Sequence, residues 1–257
     1  FKDGFWITKT NNQTYKSKNL IIATGNTNTP KLVSKPGINS FSGEIIHSSQ
    51  YKNGKKFKGK NVLVIGFGNS ACEIAICLHE HGAFPSLSVR AAVNVVPRHF
   101  GGIIIQKTST IFAKIPCKIS DKLCEPFIKM NIGDIREYGL KKLPYGPMEQ
   151  IVKYHQVPLL DMGTIDLLKK GKITIFGDVK NIDNDIIEFE NNKSKKIDAI
   201  IRGTGYKTGL EKIISITEER KKDIKENIKK RKNFGENNKD IYANLQHNTG
   251  SINNRNK

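Results

Sequence analysis

The run Gly66-Phe67-Gly68-Asn69-Ser70-Ala71 has the spacing with which a polypeptide backbone receives a phosphate group. In such a pattern Gly66 permits a tight turn, and Gly68, lacking a side chain, lets a pyrophosphate come close to the backbone. Ala71 keeps the following helix near its strand. The free N–H groups at the helix start, around Asn69 and Ser70, and the positive end of the helix dipole supply the attraction. Some twenty residues beyond the first glycine, the next strand of such a unit ends beside the adenosine ribose. Here that end is Leu87-Ser88-Val89-Arg90. An acidic residue would accept from ribose hydroxyls, whereas Arg90 would pair with a 2′-phosphate, which favours NADP(H) over NAD(H). The plainer readings are a strand-to-helix turn with no ligand and, for Arg90, a solvated charge at a strand end.

The flanking residues supply the elements this chemistry needs. Val62-Leu63-Val64-Ile65 is a short, continuously apolar run ending in glycine, as in a strand buried on both faces of a parallel sheet. Ala71, Ile74, Ala75 and Leu78 then mark one face of a helix, and Gly82 is a stop signal. Upstream, Phe5-Trp6-Ile7-Thr8 and Asn11-Asn12-Gln13-Thr14-Tyr15 read as a hairpin, and Leu20-Ile21-Ile22-Ala23 as a buried strand closed by Thr24-Gly25. Downstream, Val93-Asn94-Val95-Val96-Pro97 is a strand closed by a bend at Gly101-Gly102. Helix-like spacing then runs from Lys107 to Met130, interrupted by Pro116 and Pro126. Residues 157–161 read as extended, and Thr164 to Lys170 as a short helix stopped at Gly171. Ile173-Thr174-Ile175-Phe176 and Ile186-Ile187-Glu188-Phe189 read as strands of a small meander, and residues 197–202 as the last clear strand.

Ala23-Thr24-Gly25 and Gly203-Thr204-Gly205 both close an apolar strand with Thr-Gly, on either side of the Gly66 unit. Small residues let a backbone pass close to a ligand or a second domain. The echo suggests one nucleotide domain inserted in another, with two crossings; two unrelated turns are the alternative. Both strands, near Ile22 and Ile201, are expected to be partly exposed for lack of sheet neighbours.

At 257 residues the chain can bury a substantial core in one or two domains. It opens at Phe1 in mid-pattern and is read as a piece of a longer protein. Its net charge of +19 is spread along the sequence, and aromatics do not interleave the basic residues, so nucleic acid is not an expected partner. No apolar run reaches the ~18 residues of a membrane span. Cys72, Cys77, Cys117 and Cys124 form neither a redox dithiol nor a zinc pattern, which points to buried thiols in a reducing, cytoplasmic compartment. His79 and His81 would point roughly 200° apart on a helix and cannot share a metal. After Leu210 the sequence becomes highly charged and then rich in Asn, as in a solvated helix followed by loop or disorder.

Taken together these residues resemble the flavin-containing monooxygenases. Phe41-x-Gly43-x-x-x-His47-x-x-x-Tyr51 is similar to that family's identifying motif, Ala23-Thr24-Gly25-Asn26 with Pro30 to its first domain crossing, and Gly66 through Ala71 to its NADPH fingerprint. Residues 85–90, Gly146-Pro147-Met148-Glu149, Leu160-Asp161-Met162-Gly163-Thr164 and Thr204-Gly205-Tyr206-Lys207 are similar to the YUCCA-type branch, the indole-3-pyruvate monooxygenases. The resemblance implies FAD, NADPH, molecular oxygen and a small organic substrate oxygenated by a flavin hydroperoxide. The implied fold is α/β: a Rossmann-type NADPH-binding domain (residues 58–198) inserted into an incomplete Rossmann-type FAD-binding domain (residues 1–57 and 199–257). The implied cofactor contacts are Gly66, Gly68, Asn69, Ser70, Ala71 and Arg90, with Thr24, Gly25, Thr204 and Gly205 near the cofactors. His47 is a structural or linker residue more than an acid–base one. Four features depart from the family: no FAD fingerprint, Gly203 for Ala, Arg202 for an apolar residue, and an unmatched tail after Leu210. Another flavin-dependent NAD(P)H oxidoreductase, or an inactive NADP-binding module, are the competing readings.

Overall fold

The computed structural model describes residues 2–25, 27–100, 103, 104, 112 and 115–209. The expected bend at Gly101-Gly102, most of residues 107–114 and the tail after Gly209 lie outside the described residues. Two compact units are formed, one by Pro30–Gly205 and the other by Phe1–Thr29 with Tyr206–Lys257. These limits are set by packing and differ from the cofactor-based boundaries at 57/58 and 198/199.

The larger unit is built on five parallel strands in the order Thr174–Phe176, Phe84–Ser88, Asn61–Ile65, Ala199–Arg202, Glu44–His47. Its central strands are buried on both faces, as their unbroken apolar sequence requires. Val62, Val64, Ala199 and Ile201 pack on the side of the helix Asn69–Glu80; Leu63, Ile65 and Ile200 pack with Ile182, Ile187 and Phe189 on the other. The predicted helix face of Ala71, Ile74, Ala75 and Leu78 is the buried one, and Gly82 ends the helix at φ +78°. The meander is an antiparallel sheet of Val179–Asp183, Ile186–Phe189 and Ser194–Lys196. The expected meander strand at Ile173 to Phe176 belongs instead to the central sheet, as its edge strand, paired with Phe84–Ser88. Its apolar run pairs in parallel, a distinction that composition does not carry.

A second parallel pair, Val95–Pro97 with Leu159–Asp161, lies outside the central sheet. Between its strands run the helices Cys117–Ile132 and Pro147–Tyr154. Pro116 caps the first of these, but Pro126 does not interrupt it. Ser120, Cys124 and Ile132, buried on either side of the proline, hold the helix through the missing hydrogen bond.

In the smaller unit, Trp6–Lys9 and Thr14–Ser17 form the predicted antiparallel hairpin. Leu20-Ile21-Ile22-Ala23 departs from expectation: it is not a strand, and Ile21 is 90% exposed. Among the described residues no ladder partner serves it, and an apolar run without one has no means of satisfying its backbone as a strand.

Candidate functional site

The glycine-rich turn stands where the sequence places it, between the strand Asn61–Ile65 and the helix Asn69–Glu80. Its two glycines serve different purposes. Gly66 adopts φ +126°, and a Cβ there would lie 2.5 Å from the carbonyl oxygen of Gly203. Gly203 in turn has no room for a Cβ, which would come within 2.7 Å of the Ala71 Cβ. Gly66, Ala71 and Gly203 therefore form one close contact between the turn and the end of the adjacent strand. At Gly68, by contrast, φ is −94° and nothing lies within 4 Å of an added Cβ. Steric fit does not require glycine at Gly68, and the space above it is free for another molecule.

Gly68 is the N-cap of the helix and supplies no side-chain cap, so the N–H groups of the first turn remain available. Asn69 and Ser70 are exposed there. Asn69 Oδ1 accepts from the Leu160 N–H at 3.2 Å, which ties the helix start to the second parallel pair. Arg90 is exposed, two residues after the strand Phe84–Ser88 ends. A cavity of about 300 Å³ adjoins the turn, lined by Phe67, Gly68 and Asn69, by residues 91–94 that follow Arg90, and by Gln150 and residues 156–159. The open approach and the helix N-terminus suit a dinucleotide phosphate ester, and Arg90 immediately precedes the cavity-lining residues 91–94 in the chain.

The turn at residues 203–205 is held from several sides. Thr204 Oγ1 donates to the Lys31 carbonyl, and Lys31 N–H donates to the Gly205 carbonyl at 3.0 Å. His47 is 2% exposed. Its Nδ1 accepts from the Ser49 N–H, leaving Nε2 as the protonated nitrogen, which donates to the Gly205 carbonyl at 3.0 Å. Both ring nitrogens are thus engaged, and the geometry is that of a tie between two sheet ends. Arg202 is half-buried in register with Ile65 and His47, at the carboxyl edge of the sheet, and its Nε has no hydrogen-bond partner among the described residues. In the smaller unit Thr24 and Gly25 are exposed, with Gly25 at φ +71°.

Other motifs have structural explanations. Gly146 gives Asp121 close access, and the Asp121 carboxylate caps the helix Pro147–Tyr154, accepting from the N–H groups of Met148 and Glu149 at 2.7 and 2.9 Å. Asp161 accepts from the N–H groups of Gly163 and Ile165 at the start of the helix Thr164–Lys169; burial nevertheless raises its pKa above the ordinary carboxylate value. Cys72 is buried and its thiol pushed up to about 12, chiefly by desolvation. Tyr51 stacks on Phe57, and burial raises the pKa of its hydroxyl, which lies near Cys77. All four cysteines are free. Sequence reasoning missed Asp121, Asn94 and Gln150. Asp121 acts on residues 27 and 28 positions away, and the other two are buried polar residues that meet each other across 56 positions.

The family model described as "Flavin-binding monooxygenase-like" matches residues 4–230, and the chain belongs to that family. It is 35% identical over 192 residues to the indole-3-pyruvate monooxygenase YUCCA1 of Oryza sativa subsp. japonica, covering 74% of this chain and 47% of that protein. It is 37% identical over 210 residues to the probable indole-3-pyruvate monooxygenase YUCCA1 of Arabidopsis thaliana, covering 80% and 51%. The chain spans about half the length of the curated relatives it matches. Among solved structures, cyclohexanone monooxygenase from Rhodococcus sp. Phi1 bound to NADP+ matches with a TM-score of 0.58 at 16% identity, over 79% of this chain and 49% of that one. A flavin-containing monooxygenase from Stenotrophomonas maltophilia matches with a TM-score of 0.54 at 12% identity, over 80% and 48%. At these identities the likeness establishes the fold, a Rossmann-type α/β architecture. Among the described residues no helix is long and apolar enough to cross a membrane.

Proposed function

We propose that the chain carries the NADPH-binding portion, and flanking segments of the flavin-binding portion, of an NADPH- and FAD-dependent monooxygenase. The observation that carries this reading is the contrast at the fingerprint: Gly66 is fixed by packing, whereas Gly68 is glycine beside open space at a helix N-terminus. In this reading Gly66, Gly68, Asn69, Ser70 and Ala71 form the pyrophosphate turn, and Arg90 holds the 2′-phosphate. Thr204-Gly205 and Thr24-Gly25 are the turns assigned near the cofactors. The 58–198 segment is the NADPH domain; residues 1–57 and 199–257 belong to the FAD domain. His47 positions the 203–205 turn. The partners are a small organic substrate and molecular oxygen, and the compartment is cytoplasmic, in keeping with four free thiols.

NADPH and FAD, when bound, supply the redox chemistry; the protein binds, orients and excludes water. The fit differs for the two cofactors. For NADPH the chain has a complete strand–turn–helix unit. For FAD it has no second Gly-x-Gly-x-x-Gly pattern, so its own residues offer no equivalent cradle for that pyrophosphate, and no step is assigned through FAD. The test is calorimetric titration of wild-type and Arg90→Ala protein with NADPH and NADH. A charge-assisted pair contributes about 1.5–3 kcal/mol, so Arg90→Ala should weaken NADPH by about tenfold or more and leave NADH nearly unchanged. Equal losses for both nucleotides would remove the 2′-phosphate assignment.

A further inference from the structure

At the carboxyl edge of the central sheet, Phe176, Ser88, Ile65, Arg202 and His47 stand in register on adjacent strands. Residues in register on parallel neighbours face the same way. Ile65 packs with Ile182, Ile187 and Phe189, so the row lies on the meander face, opposite the fingerprint helix. Ser88 Oγ donates to the Gly177 carbonyl at 3.0 Å, and His47 uses both ring nitrogens. Asp178, the carboxylate that follows the row on the edge strand, is paired with Lys35, and both side chains are largely buried. Arg202 has no such partner. Among the described residues it makes neither an ion pair nor a hydrogen bond, and its Nε is enclosed while the other guanidinium nitrogens are not. Drawing a charge partly out of water without a partner is costly, and buried charges are normally paired. The fold itself does not ask for a cation here: Ile200, two residues earlier on the same face, is fully buried.

The position of Arg202 is also one where parallel sheets take ligands. The strand Asn61–Ile65 continues through the fingerprint helix to Phe84–Ser88 on one side, while Ala199–Arg202 lies on its other side. Ligands of open α/β sheets sit outside the carboxyl ends of the strands at such a switch point. We propose that Arg202 binds an oxyanion there, a phosphate or a carboxylate, separately from the pyrophosphate turn. A guanidinium presents parallel N–H groups that match two oxygens of either ion, and it stays charged at any working pH. Bound there, the anion supplies the countercharge that the protein does not. Because Arg202 and the fingerprint helix belong to opposite faces of the sheet, the anion and NADPH bind together.

The experiment follows thermal unfolding of the 257-residue chain and of Arg202→Leu in chloride buffer at constant ionic strength, with inorganic phosphate or acetate added, with and without NADPH. In chloride alone Arg202→Leu should melt about 2 °C or more above wild type, since an apolar side chain replaces an unpaired cation. Phosphate or acetate at ten times its dissociation constant should raise the wild-type midpoint by about 3 °C or more and leave the variant unmoved. The anion that acts at the lower concentration names the source, a phosphate ester or an organic acid. General salt effects move both proteins alike, so the difference between them is the signal. The same anion should shift the Arg202 Nε–H resonance of wild type, a readout that needs no variant to fold. Equal anion shifts in the two proteins, an unmoved Nε–H, or a variant that melts below wild type in chloride overturns the proposal. Loss of the wild-type anion response at saturating NADPH would place Arg202 in the dinucleotide site and overturn a separate one. A chain that fails to bind NADPH removes the NADPH reading, while the comparison in phosphate and acetate still decides the role of Arg202.

Discussion

Two segments of this chain have nearly the same sequence design and different structures. Leu20-Ile21-Ile22-Ala23-Thr24-Gly25 and Ala199-Ile200-Ile201-Arg202-Gly203-Thr204-Gly205 are both short aliphatic runs closed by Thr-Gly. Their closing glycines adopt nearly the same left-handed conformation, φ +71° at Gly25 and +76° at Gly205. Yet Ala199–Arg202 is a central strand, hydrogen-bonded on both sides, with Ile200 and Ile201 fully buried, while Ile21 is 90% exposed. The turn is a local property and follows from the residues in it. The strand requires neighbours that satisfy its backbone and cover its side chains, and the described residues provide them to only one segment.

The sharpest way to break this comparison is to truncate one aliphatic side chain in each segment. Ile201 contacts the core on the fingerprint-helix side of the sheet, and Ile201→Ala should cost about 2–5 kcal/mol through lost burial and the cavity left behind. Ile21→Ala should change stability by no more than about 0.5 kcal/mol, as for other exposed sites. Urea denaturation of both variants measures the difference. A loss at Ile21 comparable with that at Ile201 would mean that the upstream segment is covered in solution, and the contrast between the segments would collapse.

The same distinction explains which features were legible in the sequence. The fingerprint strand and helix, the hairpin at Trp6–Lys9 and Thr14–Ser17, and the Gly82 and Gly171 stops are written in local pattern, and all are present. The segment at residues 20–23, the sheet membership of Thr174–Phe176 and the expected exposure near Ile201 depended on distant partners, and each turned out otherwise. The candidate site divides similarly. Gly66 and Gly68 could be singled out by spacing. Asn94 and Gln150 could not, because they meet across 56 positions and nothing nearby marks either residue. The tight packing of Gly203 on Ala71 is likewise hidden in the sequence, where Gly203 shows only as a departure from the family's usual Ala.

The two fingerprint glycines give a second contrast, of the same kind at smaller scale. Gly66 is fixed by the neighbouring strand end, so Gly66→Ala combines strain at φ +126° with a collision against the Gly203 carbonyl. A loss of about 3 kcal/mol is expected, within the range for backbone strain and overpacking together. Gly68 has an ordinary φ and open space, so Gly68→Ala should leave the melting temperature unchanged or slightly raised, since Ala restricts the unfolded chain. Gly68→Val should likewise retain the fold but lose NADPH binding, because a branched side chain would occupy the phosphate approach. Thermal denaturation with parallel NADPH titration separates the two roles. A Gly68→Val protein with wild-type affinity would reduce the fingerprint to a turn.

The smallest expected effect tests whether the shared turn geometry has the same value in both settings. Replacing Gly25 or Gly205 by alanine imposes a similar local penalty, since both glycines have positive φ and neither Cβ would meet a neighbour within 4 Å. For an L-residue held in that region the penalty is about 1–2 kcal/mol. At residue 205 the backbone cannot move away from it: the Gly205 carbonyl accepts from both Lys31 N–H and His47 Nε2, and the preceding Thr204 hydroxyl bonds the Lys31 carbonyl. The full penalty should therefore appear as lost stability in Gly205→Ala. At residue 25 the turn is exposed and follows a segment with no ladder partner among the described residues, so the chain can relax into another conformation at little cost. Gly25→Ala should change the unfolding midpoint very little. Equal destabilisation by the two substitutions would show that the upstream turn is held as firmly as the downstream one, and that partners outside the described residues fix its shape.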